Sequence, residues 1–303
     1  MVTRLIRRFF GRATTSPTDD SGPGIPLSQP LGHFYSPLVD PASLNPERLW
    51  PAQLHDPAGI DFNDAGHAQL LDEWFPRFLP AFDYPEHGDD ESEAQAQFHV
   101  RNSQFSWLDA RALFVLLQAW RPRQVIEVGS GYSTLLMADV NKRFLAGRAA
   151  ITAIEPYPRP FLHSLGGVQL LEQKIQEVDP AVFDSLGEND ILFIDSSHVA
   201  KTGSDVNHLF FQVLPRLRPG VKVHVHDVFL PAEYPREWVL DENRSWNEQY
   251  MLQALLMYSR RFRIVFGSMY AHLRYPERLQ RALGRPGFGG GSLWLEVMAD
   301  PKA

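Results

Sequence analysis

Residues Val125–Thr134 read V-I-E-V-G-S-G-Y-S-T, an apolar strand that runs through a G-x-G turn straight into helix-forming sequence. Two glycines separated by one residue let the backbone reverse tightly and bring its N–H groups close to a ligand. The same spacing also marks any sharp strand-to-helix turn, so its meaning depends on the rest of the chain. Downstream of the turn, strands and helices alternate. Strands are expected at Gln124–Val128, Ala150–Glu155, Val168–Glu172, Asp190–Asp195, Val221–Asp227, Arg263–Gly267 and Leu293–Val297. Helices are expected at about Ser133–Arg143, Arg159–Leu165, Asp179–Leu186, Asp205–Arg216 and Asn247–Arg260. Ahead of them a helix from about Trp107 to Trp120 carries an apolar stripe at Leu108, Ala112, Val115, Leu116 and Ala119, with Asp109 in its first turn, where the helix dipole favours an acid.

Strands that alternate with helices predict βαβ units on a mostly parallel sheet with right-handed crossovers. No helix is evident between the last two strands. Their connection, Ser268–Gly291, is long and ends in F-G-G-G-S, so a hairpin-like return is expected to add one antiparallel strand. The fold class is therefore α/β: a Rossmann-like, doubly wound, seven-stranded and mostly parallel sheet with one antiparallel strand, plus an N-terminal extension.

The organisation upstream is read in three parts. Residues 1–30 form a flexible basic tail and linker, 31–97 an extension or lid, and 98–303 the main domain. The first twelve residues hold four Arg and no acid, which suits a frayed tail, a short amphipathic helix in weak contact with an anionic membrane surface, or an organellar presequence. Thr14–Pro30 has a linker's composition, and His33–Pro85 is rich in Pro and aromatics with a helix expected from about Asn63 to Phe78. The acidic stretch His87–Glu93 reads as a solvated loop.

Composition removes several functional classes. A formal net charge of −7 argues against a broad nucleic-acid-binding face, which needs clustered Lys and Arg. The absence of cysteine excludes disulfides, thiolate nucleophiles and Cys-ligated zinc. The longest apolar runs fall far short of the roughly 20 residues that span a bilayer, so no transmembrane segment is expected and a cytoplasmic location is the working expectation. Small-molecule acceptors fit better as partners, and homodimerisation through the aromatic-rich extension is left open.

In an open α/β sheet the ligand sits beyond the carboxyl ends of the strands, near the point where strand order reverses. The polar residues at those ends are Glu127 with Gly129-Ser130-Gly131, then Glu155, then Asp195 and His198 of I-D-S-S-H, then His224, His226 and Asp227 of H-V-H-D. Each also has a bland reading. Glu155 and Asp195 could cap helices, and either His224 or His226, which face the same way from alternate strand positions, could be a hydrogen-bonded core histidine. His226 and Asp227 lie nearest the strand end and are the functional expectation.

This pattern resembles class I S-adenosylmethionine-dependent methyltransferases. The resemblance covers about Phe98 to Val297 and rests on E-V-G-S-G (Glu127–Gly131), A-I-E-P (Ala153–Pro156), F-I-D-S-S-H (Phe193–His198) and V-H-D-V-F (Val225–Phe229). A dinucleotide-binding dehydrogenase fits less well, because its third glycine would fall at Thr134 and its ribose-binding acid would arrive sooner than Glu155. The resemblance implies that Gly129, Ser130 and Gly131 approach the methionine part of the cofactor, that Glu155 binds its ribose, and that Glu127 contacts its amino end. Where the family often places an acid that reads the adenine amine, this chain has Lys174 and Gln176 nearby.

More narrowly, the chain is similar to a bacterial branch related to metal-dependent O-methyltransferases. By position, Asp195, His226 and Asp227 would be metal ligands, Asp195 would also line the cofactor site, and His198 would be the base; His stands where those enzymes carry a carboxylate ligand and a Lys base. Imidazole suits Mn, Fe, Co or Zn better than Mg2+, so a divalent transition metal is the expectation if one binds. The competing arrangement is a metal-free hydrogen-bonded cluster with His226 as the base. Transfer to oxygen is favoured by the metal-like constellation. An N-methyltransferase without metal, a non-catalytic cofactor-binding interaction protein and an NAD-dependent oxidoreductase stand as alternatives. Around the crevice, Arg101 and Asn102, Lys201-Thr202-Gly203, Phe34–Pro37 and the aromatic loop Phe229–Trp238 are candidates for pocket walls or lids.

Overall fold

The computed structural model describes residues 28–30, 32–88, 97–284 and 289–299. The expectations for the basic tail, for nearly all of the linker and for most of the acidic stretch lie outside the described residues.

Seven strands form one sheet: β1 (Gln124–Val128), β2 (Ala150–Ile154), β3 (Val168–Leu171), β4 (Ile191–Ile194), β5 (Lys222–Val225), β6 (Phe262–Gly267) and β7 (Leu293–Val297). Their order is β3-β2-β1-β4-β5-β7-β6. The first five pair in parallel, and β7 runs antiparallel to both neighbours. Strand order reverses between β1 and β4, which puts their carboxyl ends at the mouth of one crevice.

Side chains alternate across the sheet, so each strand feeds two cores. Ile126, Val128, Leu192, Ile194, Val223 and Val225 join one, while Val125, Ile151, Ile191, Phe193 and Trp294 join the other. β4 is therefore apolar on both faces, whereas β1 and β5 are apolar on the first and place buried Glu127, Lys222 and His224 on the second. The Trp107–Trp120 and Tyr132–Phe144 helices pack on the second core. The Glu248–Leu256 helix and the segment from Asp205 to Arg216 pack on the first.

Two features depart from the sequence reading. The connection between β6 and β7 holds two helices, Ser268–Arg274 and Pro276–Leu283. Pro276 at the start of the second ends the first, and the second sets Leu279, Ala282 and Leu283 on one face. The helix expected over Asn247–Arg260 stops at Leu256, because Tyr258 turns left-handed (φ 56°) and its N–H donates to the Gly59 carbonyl at 2.7 Å. Here a contact with the extension overrides local propensity.

The extension is built into the domain. Leu70, Leu71 and Phe75 are buried in the second core, Asn63 Nδ2 donates to the Ile264 carbonyl at 2.8 Å, and Gly267 N donates to His67 Nε2 at 2.9 Å. Further upstream Trp50 Nε1 donates to the Tyr234 carbonyl at 2.9 Å, tying the extension to the loop that leaves β5.

Candidate active site

The glycine turn is shaped by how closely β1 and β4 approach at their ends. Asp195 N donates to the Val128 carbonyl at 2.8 Å, and a Cβ on Gly129, whose φ is +78°, would stand 1.8 Å from the Asp195 carbonyl oxygen. Only glycine fits there. Ser130 N donates to Glu155 Oε2 at 3.2 Å, and Tyr157 N donates to Glu155 Oε1 at 2.9 Å, so Glu155 joins the turns after β1 and β2. Gly131 N donates to Thr134 Oγ1 at 2.9 Å.

Glu127 lies beneath this turn and is fully buried. It accepts from Ser133 Oγ and Thr134 Oγ1, both at 2.6 Å, which locks the last acid of the strand to the first turn of the helix. Burial pushes its carboxyl up to about 8 despite those two donors.

Asp195, His198, His226 and Asp227 meet where β4 and β5 end. His198 Nε2 stands 3.3 Å from Asp195 Oδ1 and 3.5 Å from Asp227 Oδ2. His226 Nδ1 stands 3.5 Å from Asp195 Oδ1 and 3.7 Å from Asp227 Oδ1. Each imidazole turns its other nitrogen to a buried carboxylate. His198 Nδ1 donates to Glu248 Oε2 at 3.0 Å, and His226 Nε2 faces Asp109 Oδ2 at 3.8 Å. His198 and Asp227 both adopt left-handed backbone conformations (φ 60° and 55°), a strain that non-glycine residues carry mainly where surrounding contacts impose it.

Burial disfavours both imidazolium ions, yet the carboxylates outweigh it. His226 is raised well above its usual 6.5 by Asp227, Asp195 and Asp109, and His198 is pushed up to about 10 by Asp195, Glu248 and Asp227. Asp195 is correspondingly lowered against its own burial, while burial raises Asp227 and Glu248. Asp195 is the most open member of the cluster, with 31% of its side chain exposed, and marks the way in from solvent.

His224 plays another part. It is buried between Phe193, with ring centroids 3.8 Å apart, and Trp294, bonds Ser292 Oγ through Nε2 at 2.8 Å, and burial drives its pKa well down. It is a neutral core histidine.

The remaining sequence candidates are spread around the rim. Asn102 is buried and closes its own turn, donating to the His99 and Phe105 carbonyls at 2.8 and 2.7 Å. Arg101 pairs with Glu86 at 3.1 Å. Gln176 donates to the Gly203 carbonyl at 2.9 Å, and the Lys201 amide donates to Ser204 Oγ at 3.1 Å, so that loop is a capped turn. Phe34 and Tyr35 are 81% and 74% exposed. The loop after β5 contains the short helix Arg236–Leu240 and a cluster of Phe229, Tyr234, Trp238 and Trp246, the last packed 4.3 Å from the His198 ring.

Asp109 and Glu248 escaped sequence reasoning as site residues. Asp109 reads as a helix-dipole acid, but it accepts from Gly291 N at 2.9 Å and Ser292 N at 3.1 Å, while a Cβ on Gly290 would lie 2.3 Å from its Oδ1. The glycine run before β7 is thus the signal that something must approach closely there. Glu248 offered no such signal, since an acid opening a helix is ordinary.

The crevice suits a nucleoside-bearing sulfonium cofactor. Ser130 Oγ is buried with no partner among the described residues, and the Glu155 carboxylate stands beside it, accepting from Ser130 N. The donor set also suits a divalent cation, because ligand atoms of Asp195, His198 and Asp227 lie within 4.8 Å of one another. His226 falls outside that group, whereas the sequence reading placed it among the ligands and His198 as the base. His226 Nδ1 stands only slightly farther from the same two carboxylates than His198 Nε2 does.

A family model described as a methyltransferase domain matches residues 126–228, from β1 to just past His226 and Asp227. A protein of Archaeoglobus fulgidus, described only as uncharacterized, is 34% identical over 167 residues, which cover 53% of this chain and 74% of that relative. Among solved structures, the S-adenosylhomocysteine-bound methyltransferase PaMTH1 of Podospora anserina has a TM-score of 0.43 at 15% identity, covering 79% of this chain and 98% of its own. A putative methyltransferase of Thermobifida fusca has a TM-score of 0.42 at 14% identity, covering 63% and 79%.

Seven strands ordered with a reversed β7, and a glycine turn at the end of β1, define the class I methyltransferase architecture. Residues 126–228 are similar to a methyltransferase domain, and the sheet that carries them has the matching Rossmann-like order.

Proposed function

We propose that the protein transfers the methyl group of S-adenosylmethionine to a hydroxyl oxygen of a small-molecule or sugar acceptor. The observation that carries the choice of oxygen is the pair of buried histidines that each present one ring nitrogen to Asp195 and Asp227 while a carboxylate, Glu248 or Asp109, stands behind the other.

Gly129, Ser130 and Gly131 would receive the methionine portion, Glu155 the ribose hydroxyls, and Asp195 would border both cofactor and acceptor. Transfer is an in-line displacement: the acceptor oxygen bonds to the methyl carbon, the carbon–sulfur bond breaks, and the sulfonium becomes a neutral thioether. The hydroxyl proton passes to His226 Nδ1. Asp109, which faces His226 Nε2 at 3.8 Å, stabilises the imidazolium that results. A divalent cation held by Asp195, His198 and Asp227 would polarise the acceptor hydroxyl. The aromatic loop around Trp238 and Trp246 supports the wall beside His198 and would exclude water from the reacting centre.

The test is formation of S-adenosylhomocysteine from S-adenosylmethionine in the presence of separate panels of hydroxylated and amine acceptors, with wild type and His226→Gln. Turnover with hydroxylated acceptors that collapses in His226→Gln is expected. Turnover with amines alone, indifferent to His226, would overturn the assignment to oxygen.

A further inference from the structure

His198 is gripped more tightly than a base that must meet a changing substrate requires. Its carbonyl accepts from Asn247 N at 3.0 Å and Glu248 N at 3.2 Å, at the start of the Glu248–Leu256 helix. Its own N–H donates to Ser196 Oγ at 3.1 Å, and that hydroxyl donates on to Glu248 Oε2 at 2.9 Å. The same Oε2 takes the ring Nδ1–H at 3.0 Å, and Trp246 packs against the ring face. Backbone and ring are thus fixed by one buried glutamate and its immediate neighbours.

What this fixes is the aim of Nε2, 3.3 Å from Asp195 Oδ1 and 3.5 Å from Asp227 Oδ2. Ligand atoms about 2.1 Å from one metal ion are spaced about 3.0 Å apart in an octahedron and about 3.4 Å apart in a tetrahedron. The two spacings from His198 Nε2 lie close to such edges, and all three ligand atoms fall within 4.8 Å of one another. A metal-bound imidazole nearly always gives its other N–H to a carboxylate or carbonyl, which sets the tautomer and the direction of the free nitrogen. Glu248 stands in that position.

We propose that Glu248 is the positioning residue of a divalent transition-metal site formed by Asp195, His198 and Asp227, with His226 outside the ligand set. One imidazole with two carboxylates favours Mn2+, Fe2+, Co2+ or Zn2+ over Mg2+, since nitrogen donors suit the softer ions. The proposal rests on the crevice being the methyl-transfer site only for what the metal is used for; binding itself is measured apart from turnover.

The experiment uses the full chain after chelation, titrated with Co2+ and followed by visible absorption and calorimetry, with S-adenosylhomocysteine titrated into the same preparations. Wild type is expected to bind one Co2+, with Mg2+ in hundredfold excess displacing little of it. Glu248→Gln should weaken Co2+ by about 10–100-fold and shift its absorption bands. His198→Gln and Asp227→Asn should weaken it at least as much, and His226→Gln should leave it within a few-fold. Retained S-adenosylhomocysteine affinity shows that each variant is folded. No Co2+ binding by wild type, an unchanged constant and spectrum in Glu248→Gln, or loss through His226 and not His198 would each overturn the proposal. Wild type that binds Co2+ as described but not S-adenosylhomocysteine would leave the metal site standing and sink the methyl-transfer reading instead.

Discussion

Glu127 makes a sharp thermodynamic prediction because it is an acid held where a charge is costly. The residue is fully buried, and its carboxyl is pushed from 4.5 up to about 8. A carboxyl with a raised folded-state pKa favours folding while it is protonated in the native state. Its contribution is fully present below the unfolded pKa and is lost as pH rises through the folded one. At about 1.36 kcal/mol for each tenfold difference, the rise corresponds to about 5 kcal/mol given up between about pH 4.5 and pH 8. Glu127→Gln keeps the shape, presents an acceptor and a donor to Ser133 and Thr134, and cannot ionise. Urea unfolding of both proteins at pH 5.5 and pH 9 measures the difference. The variant should gain stability relative to wild type by several kcal/mol between the two conditions. Parallel curves, with the same difference at both pH values, would show that Glu127 is ionised throughout and would refute the reasoning.

Other substitutions probe the same geometry. Gly129→Ala combines a left-handed backbone with a Cβ that would collide with the Asp195 carbonyl, and it should cost more than about 3 kcal/mol in denaturant unfolding and abolish S-adenosylhomocysteine binding in calorimetry. Asp109→Asn removes the charge behind His226, and turnover should fall about 100-fold while the constant for S-adenosylhomocysteine stays within about twofold. His224→Phe should keep turnover and lose about 1–3 kcal/mol of stability by leaving Ser292 Oγ unpaired; loss of activity without loss of stability would make His224 the functional histidine of the strand.

The sheet was legible because its strands are short apolar runs punctuated by glycine, acid and histidine at each carboxyl end, and the one reversed strand could be inferred from the length of the final connection. The two helices inside that connection were missed although Leu279, Ala282 and Leu283 mark the face of the second, because Pro276 interrupts the run and the glycines that follow read as a loop. Glu155, Asp195, His198, His226 and Asp227 could be found from position alone, since strand ends at a switch point converge whatever the loops do. Which histidine faces which carboxylate could not. That depends on the left-handed turns at His198 and Asp227 and on Asp109 and Glu248, which arrive from helices far upstream and far downstream of the strand ends they support.

The crevice at the ends of β1, β2, β4 and β5 is the proposed binding site of S-adenosylmethionine. Isothermal titration of the purified chain with S-adenosylhomocysteine, alongside Glu155→Ala, addresses it directly. Saturable one-to-one binding in the micromolar range, weakened at least tenfold in Glu155→Ala, is the predicted result. Absence of binding at millimolar concentration, or binding indifferent to Glu155, would contradict it.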